Sequence, residues 1–326
     1  MVSGGAGYIG SHAVLALRDA GWKVVVVDNL VTGFDWAVPN DVPLVVANIA
    51  DQAVIAATIR DHGVGAIMHF AGSVVVPESV ENPLKYYRNN TAATAALLEA
   101  AVTGGVHHFI FSSTAATYGI PKIIPVAEDA PQQPINPYGM SKLMTEAMLR
   151  DVAAAHPVNF CALRYFNVAG ADPAGRSGQS TAGATHLIKV AVEAAIGKRD
   201  HVAIFGDDFD TPDGTGVRDY IHVSDLAAAH VLALEALVAN PSQSHFMNCG
   251  YGRGYSVAEV CDAVDRVTNL EIKRVAAPRR AGDPDALVAD NGRIRATLPW
   301  QPRYDDLDLI VRHALQWERR LAEMGK

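Results

Sequence analysis

At 326 residues the chain is long enough for one large domain or two ordinary ones, and 49% apolar with 19% charged residues gives a globular profile with a sizeable core. The formal net charge of −8, with both signs interspersed, offers no basic stripe for nucleic acid and no cationic amphipathic segment for a membrane surface. No apolar run reaches the roughly 18 residues of a membrane span, and the first residues lack the charged, apolar pattern of an export leader. Three cysteines (Cys161, Cys249, Cys261) stand far apart and in no metal-ligand spacing. The expectation is therefore a reduced cytoplasmic setting with buried thiols and no metal site.

Near-continuous apolar runs recur along the first half: "KVVVVDN" (Lys23–Asn29), "GAIMHFAG" (Gly65–Gly72), "HHFIFSS" (His107–Ser113) and "FCALRYFN" (Phe160–Asn167). Strands apolar on both faces belong in a parallel sheet covered by helices. Helical segments rich in Ala and Leu fall between them, predicted over Ile9–Ala20, Asp51–His62, Pro83–Gly104 and Pro137–His156. This alternation predicts a doubly wound, Rossmann-like α/β fold, whose ligands sit at the carboxyl ends of the strands. Beyond Asn167 the rhythm breaks into Gly-, Asp- and Pro-rich stretches, closing with a predicted helix over Tyr304–Met324. The expected division is a dinucleotide-binding domain over 1–167 and a smaller α/β substrate-binding domain over 168–326. The chain is expected to return to the first domain around 220–249.

The opening "SGGAGYIGSH" (Ser3–His12) contains Gly5-x-Gly7-x-x-Gly10 and Gly4-x-x-Gly7-x-x-Gly10. Such glycines let the backbone turn tightly and approach a pyrophosphate resting on a helix N-terminus. Asp28 ends the next apolar run 18 residues after Gly10, where an acid binds the ribose hydroxyls of NAD and repels the 2′-phosphate of NADP. Only Met1, Val2 and Ser3 precede the loop, short of the usual five or six residues of a central strand, so the natural chain is expected to begin a few residues upstream.

In "NPYGMSK" (Asn136–Lys142), Asn136 caps and Pro137 opens a helix, which sets Tyr138 and Lys142 one turn apart on one face. A phenol has a pKa near 10, and bringing it to about 7 takes roughly 4 kcal/mol of preferential stabilisation of the phenolate. A close ammonium and a bound nicotinamide cation are the expected sources. In "FSSTAATYG", Ser112, Ser113 and Thr114 end a strand and can offer a hydroxyl to the same oxygen.

The glycine loop, the hydroxyl residue and Tyr-x-x-x-Lys resemble the extended short-chain dehydrogenase/reductase superfamily. Within it, "GGAGYIGSH", "VVDNL", "HFAG", "YYRNN", "NPYGMSK", "RYFNVAGADP", "DGTGVRDYIHVSDLA" and "APRRAGD" run in the order of the UDP-glucose 4-epimerase family over nearly the whole chain. The resemblance implies reversible oxidation and reduction at the sugar C4′, which interconverts UDP-glucose and UDP-galactose through a 4-keto intermediate with tightly bound NAD. It implies that Tyr138 is the acid/base, that Lys142 lowers its pKa and holds the nicotinamide ribose, and that Thr114 bonds the 4′-oxygen.

Cofactor contacts carry over to Gly4, Gly7, Tyr8, Ile9, Gly10, Asp28, Asn29, Asn48, Ile49, Phe70, Ala71, Gly72, Asn89, Lys142 and Tyr165. Asn48 replaces the usual aspartate at the adenine edge, and Val74 stands where some members carry a lysine near the pyrophosphate. Substrate contacts carry over to Asn167, His186, Leu187, Ala203, Phe205, Arg218, Tyr220, Arg280, Asp283 and Leu287, with Arg218 and Arg280 on the diphosphate. "GATHLIK" departs from the family's asparagine-and-proline pattern, which weakens His186 and Leu187. The bulk of Leu287 is intermediate and leaves acceptance of N-acetylated sugars open. Relatives that eliminate water carry an acid just after the hydroxyl residue; here Ala115 and Ala116 follow Thr114. A decarboxylating or uronate-specific relative is disfavoured on similar grounds, and a redox-sensing module would be expected to lose the tyrosine or the lysine. Family members are usually homodimers joined by two long helices, here about Pro83–Gly104 and Pro137–His156.

Overall fold

In the computed structural model, which describes residues 1–280 and 282–326, the apolar runs line up as one parallel sheet. Ala281, within the "APRRAGD" block, lies outside the described residues. The first strand, β1 (Val2–Ser3), leads through the glycine loop into α1 (Tyr8–Asp19), and then come β2 (Val26–Asp28), β3 (Leu44–Val46), α2 (Gln52–His62) and β4 (Ala66–His69). Three helical pieces follow, α3 (Val76–Glu81), α4 (Pro83–Tyr86) and α5 (Ala93–Thr103), before β5 (His108–Thr114), α6 (Pro137–Ala155) and β6 (Asn159–Tyr165).

The remaining elements are β7 (Asn167–Ala169), α7 (Leu187–Ala195), β8 (Val202–Phe205), β9 (Val217–His222), α8 (Val223–Ala239), β10 (His245–Cys249), β11 (Gly254–Ser256), α9 (Val257–Thr268), β12 (Arg274–Ala277), β13 (Ala286–Leu287), α10 (Gly292–Thr297) and α11 (Leu307–Glu323). The main sheet runs β10-β6-β5-β4-β1-β2-β3 with every pairing parallel. Strand order reverses between β1 and β4, so the glycine loop and the Phe70–Gly72 turn open on one crevice, where ligands of doubly wound sheets bind.

Residues of β6 are all buried, as are most of β5, because helices cover both faces. Ile55, Leu97, Phe109 and Phe160 pack one face, and Val14, Ile110, Leu226 and Met247 pack the other. Helix α8 lies beside α1 and β10 extends the sheet past β6, so this late stretch of chain contributes to the first sheet. A smaller sheet, β11-β9-β13 with β7 also on β9, and the pair β8–β12 carry the rest, backed by α7, α9 and α11.

The predicted Pro83–Gly104 helix is not continuous. Residues Tyr87–Ala92 form a π-helical turn between α4 and α5. The widened turn carries Asn90, whose amide bonds Ser73 and Ser141, a displacement of the kind π-turns make at functional sites. The predicted closing helix starts later, at Leu307, because the Asp306 carboxylate accepts from the Leu309 amide and caps it there.

Candidate active site

The phosphate-side loop is shaped by close backbone approaches. Gly4 has φ +73°, and a Cβ there would stand 2.5 Å from the Ala71 nitrogen. At Gly10 a Cβ would meet the Gly4 carbonyl oxygen at 2.0 Å, so the helix can start this close to the loop only with glycine. Gly7 is the N-cap residue of α1 and has no side chain to occupy the first free amides, which therefore face the crevice.

Asp28, at the end of β2, is buried and ties the loop together: Oδ2 accepts from the Ala6 amide at 2.9 Å and Oδ1 from the Leu30 amide at 2.8 Å. Asn29 and Asn48 are exposed, and the Oδ1 of each caps its own turn, through Val31 and Ala50 amides respectively. Ile49 is buried beside them. The Tyr8 hydroxyl donates to the Gly170 carbonyl at 2.7 Å, which ties α1 to the stretch after β7, and Ile9 is half-buried.

Phe70, Ala71 and Gly72 follow β4, and the Phe70 ring packs 4.8 Å from that of His230 on α8. Asn89 is exposed, its amide bonded to Ser73 Oγ at 3.2 Å. The neighbouring Asn90 is buried, and its Oδ1 accepts from the Ser73 amide at 2.7 Å. The Asn90 oxygen would lie 2.9 Å from a Cβ on Gly72. Asn90, in the "YYRNN" doublet, is thus a site-wall residue that the sequence reading passed over in favour of Asn89.

Tyr138 and Lys142 sit in the first two turns of α6 on one face, as the capping pattern predicts: Asn136 Oδ1 accepts from the Gly139 amide at 2.8 Å with Pro137 at the first position. Gly139 lets this helix press on the turn after β5, since a Cβ there would stand 2.6 Å from the Ala116 carbonyl oxygen. The Lys142 ammonium is buried, donates to the Ser112 carbonyl at 2.9 Å and stands 4.9 Å from the Phe111 ring centroid. Burial lowers it to about 8.

The Tyr138 phenol is raised above its usual range by burial, with the nearby Thr114 hydroxyl opposing that rise. Lys142 is not among the groups that move it. The expected lowering by the ammonium is therefore not met by these side chains alone, because the ammonium points to a backbone carbonyl instead. Tyr86 packs edge-on to Tyr138 at 6.4 Å, and Tyr165 bonds Ser112 Oγ next to it. Thr114 Oγ1 also accepts from the Ala116 amide at 3.1 Å, which holds its rotamer.

On the substrate side, Leu287 in β13 lies opposite Arg218 of β9 and packs with Phe166 against Ala115, Tyr118 and Val126, close behind Thr114. The Arg218 guanidinium bonds Asp283 Oδ1 at 3.2 Å and the Val217 carbonyl at 2.8 Å. Arg280 lies over the Phe205 ring at 3.8 Å, with no carboxylate partner among the described residues, whereas Arg279 beside it pairs with Asp285 at 2.8 Å. Ala203 and Phe205 are both in β8, paired with β12, and Asn167 starts β7 opposite Tyr220. Tyr220 is only 2% exposed and packs in the core, so at most its edge is open to a ligand. His186 precedes α7, with Nδ1 in a hydrogen bond to Gln179 at 2.7 Å; Leu187 is the first residue of that helix.

Residues 1–250 match the NAD dependent epimerase/dehydratase family. The chain belongs to that family. It is 58% identical to UDP-glucose 4-epimerase of Azospirillum brasilense over 99% of this chain and 92% of the relative. Among solved structures of the family's epimerases it is similar to the Brucella ovis UDP-glucose 4-epimerase in complex with NAD, with TM-score 0.93, 45% identity, and 97% and 96% of the two chains covered. The Bifidobacterium longum enzyme in complex with NAD+ and UDP superposes with TM-score 0.92 at 36% identity, over 98% and 97% of the chains.

This family member has a crevice that fits a dinucleotide on its own chemistry. Glycine side-chain space at Gly4, Gly7 and Gly10, uncapped α1 amides and an anchored acid at Asp28 converge at the reversal of strand order. The buried Lys142 cation and the Tyr138 phenol lie at the next strand ends, after β4 and β5.

Proposed function

We propose that this protein interconverts UDP-glucose and UDP-galactose by reversible oxidation and reduction at C4′. The observation that carries the reading is the convergence of the Tyr138 phenol, the Thr114 hydroxyl and the buried Lys142 ammonium beside the dinucleotide crevice. NAD is held by the glycine loop, Asp28, the Phe70–Gly72 turn and Lys142. When bound it supplies the acceptor and donor for the hydride at C4′.

Tyr138 takes and returns the proton of the 4′-oxygen, with Thr114 bonded to the same oxygen and to the phenol. At neutral pH a lysine at about 8 is mainly cationic, so Lys142 places a positive charge in this wall of the site. Arg280, without a carboxylate partner among the described residues, and Arg218, which exchanges Asp283 for phosphate oxygens, anchor the diphosphate. Strong anchoring there and weak anchoring of the hexose let the 4-keto sugar present either face to one reacting position. The absence of an acid at Ala115 and Ala116 disfavours elimination of water, which needs a further proton shuttle at that spot.

Residues 1–167 with 220–249 form the dinucleotide lobe in this reading, and the remainder the substrate lobe. A homodimer through the α4–α5 and α6 face is supported by exposed Leu84 and Met144 there. A cytoplasmic setting is supported by three buried free cysteines, and no helix among the described residues is long and apolar enough to cross a membrane. Pure protein incubated with UDP-galactose and no added nucleotide tests the reading. UDP-glucose is expected, and Tyr138→Phe is expected to abolish its formation with NAD still bound. A dehydrated product, no product, or near-normal turnover in the variant rejects it.

A further inference from the structure

We infer that Glu146, a residue outside the reacting groups, is a positioning residue that sets the distance between the Tyr138 helix and the Thr114 strand end. The inference rests on the epimerase reading above. Glu146 lies one turn past Lys142 and two past Tyr138 on the same face of α6, with no exposed surface. Its Oε1 accepts from Ser113 Oγ at 2.6 Å and Arg164 Nε at 2.9 Å. Its Oε2 accepts from an Arg164 terminal nitrogen at 2.7 Å and Gln132 Nε2 at 2.9 Å.

Ser113 and Arg164 face each other in register across β5 and β6, and each comes one residue before a site residue, Thr114 and Tyr165. One carboxylate therefore fastens the catalytic helix to both strand ends that carry the opposite wall. Arg164 extends the hold to the Tyr118 hydroxyl at 2.9 Å and the Glu128 carbonyl at 3.1 Å. Lys142 and Gly139 set how closely α6 approaches, through Ser112 and Ala116 carbonyls, whereas Glu146 fixes its direction from further along.

Stability alone does not call for such a pair. A buried ion pair is often matched or exceeded by apolar packing of the same volume, and its attested use is fixing one arrangement. The donor pattern is also demanding: four donors meet two oxygens, so an amide in either flip turns N–H groups against N–H or O–H donors. Glu146→Gln is thus isosteric yet shifts the helix, and a misplacement of about 1 Å can cost on the order of 10²-fold in rate.

The test compares wild type, Glu146→Gln and Glu146→Asp as purified holoenzymes: kcat and KM for UDP-galactose against pH, NAD content, and melting temperature. The charged and titratable groups facing Tyr138 are Tyr86 of α4, Tyr165 of β6 and Lys142 of its own helix. Well below the melting transition, kcat is expected to fall at least about tenfold while KM stays within about threefold. The rising limb of kcat should move to higher pH, because a displaced Thr114 no longer opposes the upward shift of the phenol. Unchanged kcat and limb in both variants, whatever their melting temperature, overturn the inference. If Glu146→Gln does not fold, Ser113→Ala removes one donor only; a smaller loss with the same limb shift supports the inference, and an unshifted limb overturns it. An inactive wild type refutes the epimerase reading, whereas an active wild type with unaffected variants refutes this inference alone.

Discussion

Replacing Thr114 by valine removes one hydroxyl at nearly constant shape from a residue that is only 8% exposed. Two interactions go with it: the acceptor for the Ala116 amide at 3.1 Å and the hydroxyl that opposes the upward shift of the Tyr138 phenol. The first leaves a partly buried amide unpaired, which costs about 1 kcal/mol of stability, the low end of the range for a fully buried group. The second acts on the proton in flight, where loss of a positioned partner is expected to lower kcat by about 10²-fold, or about 2.7 kcal/mol of barrier. Activity requires the phenolate, so removing a group that lowers the phenol moves the rising limb of the pH profile upward. Initial rates of UDP-galactose conversion from about pH 6 to about pH 9.5, with a melting curve for each protein, separate the two effects. Thr114→Ser keeps the hydroxyl and is expected to stay within about threefold of wild type. Wild-type kcat and an unmoved limb in Thr114→Val would falsify the assignment of that hydroxyl to the reacting oxygen.

Gly10→Ala is expected to yield protein without NAD, because its Cβ would sit 2.0 Å from the Gly4 carbonyl oxygen and push the loop out of shape; nucleotide still present in denatured supernatants would contradict this. Stability should fall in mild acid. His12, His69 and His230 are lowered by burial to about 4, 3 and 4 from 6.5, so each contributes stability that is present above 6.5 and lost as pH falls towards its folded value. Asp219, raised to about 6 by burial, acts oppositely, losing stability as pH rises from 3.8 through 6; these four groups alone take up about two protons net on unfolding near pH 5, and the buried His222, also lowered, adds to that uptake. Urea unfolding at several pH values gives that slope directly, and a flat profile between about pH 5 and 6.5 is incompatible with it.

Much of the main sheet was legible because parallel strands covered on both faces appear as unbroken apolar runs. Val26–Asp28, Ala66–His69, His108–Thr114 and Asn159–Tyr165 all fall inside, or within a residue of, such runs. Leu44–Val46 escaped, being three residues on an outer edge of the sheet, and so did "HFMNC" (His245–Cys249), whose polar residues mask it. Helix α3 was hidden by "VVVPES", a β-branched run that local preference reads as extended. The Tyr138 face was visible through Asn136 and Pro137, which act locally. The Asn90 contacts, the Lys142 hydrogen bond to Ser112 and the Glu146–Arg164 pair were not, since each joins residues 17 to 51 positions apart through tertiary folding. The partner of the Lys142 ammonium was hidden for the same reason: spacing shows that an ammonium is near, not where it points.

The most direct measurement follows a deuterium label at C4 of UDP-galactose through conversion by the pure protein in ordinary water with no dinucleotide added. The account predicts UDP-glucose with the label retained at the same carbon. Label lost to solvent, or a product that has shed water, would contradict it.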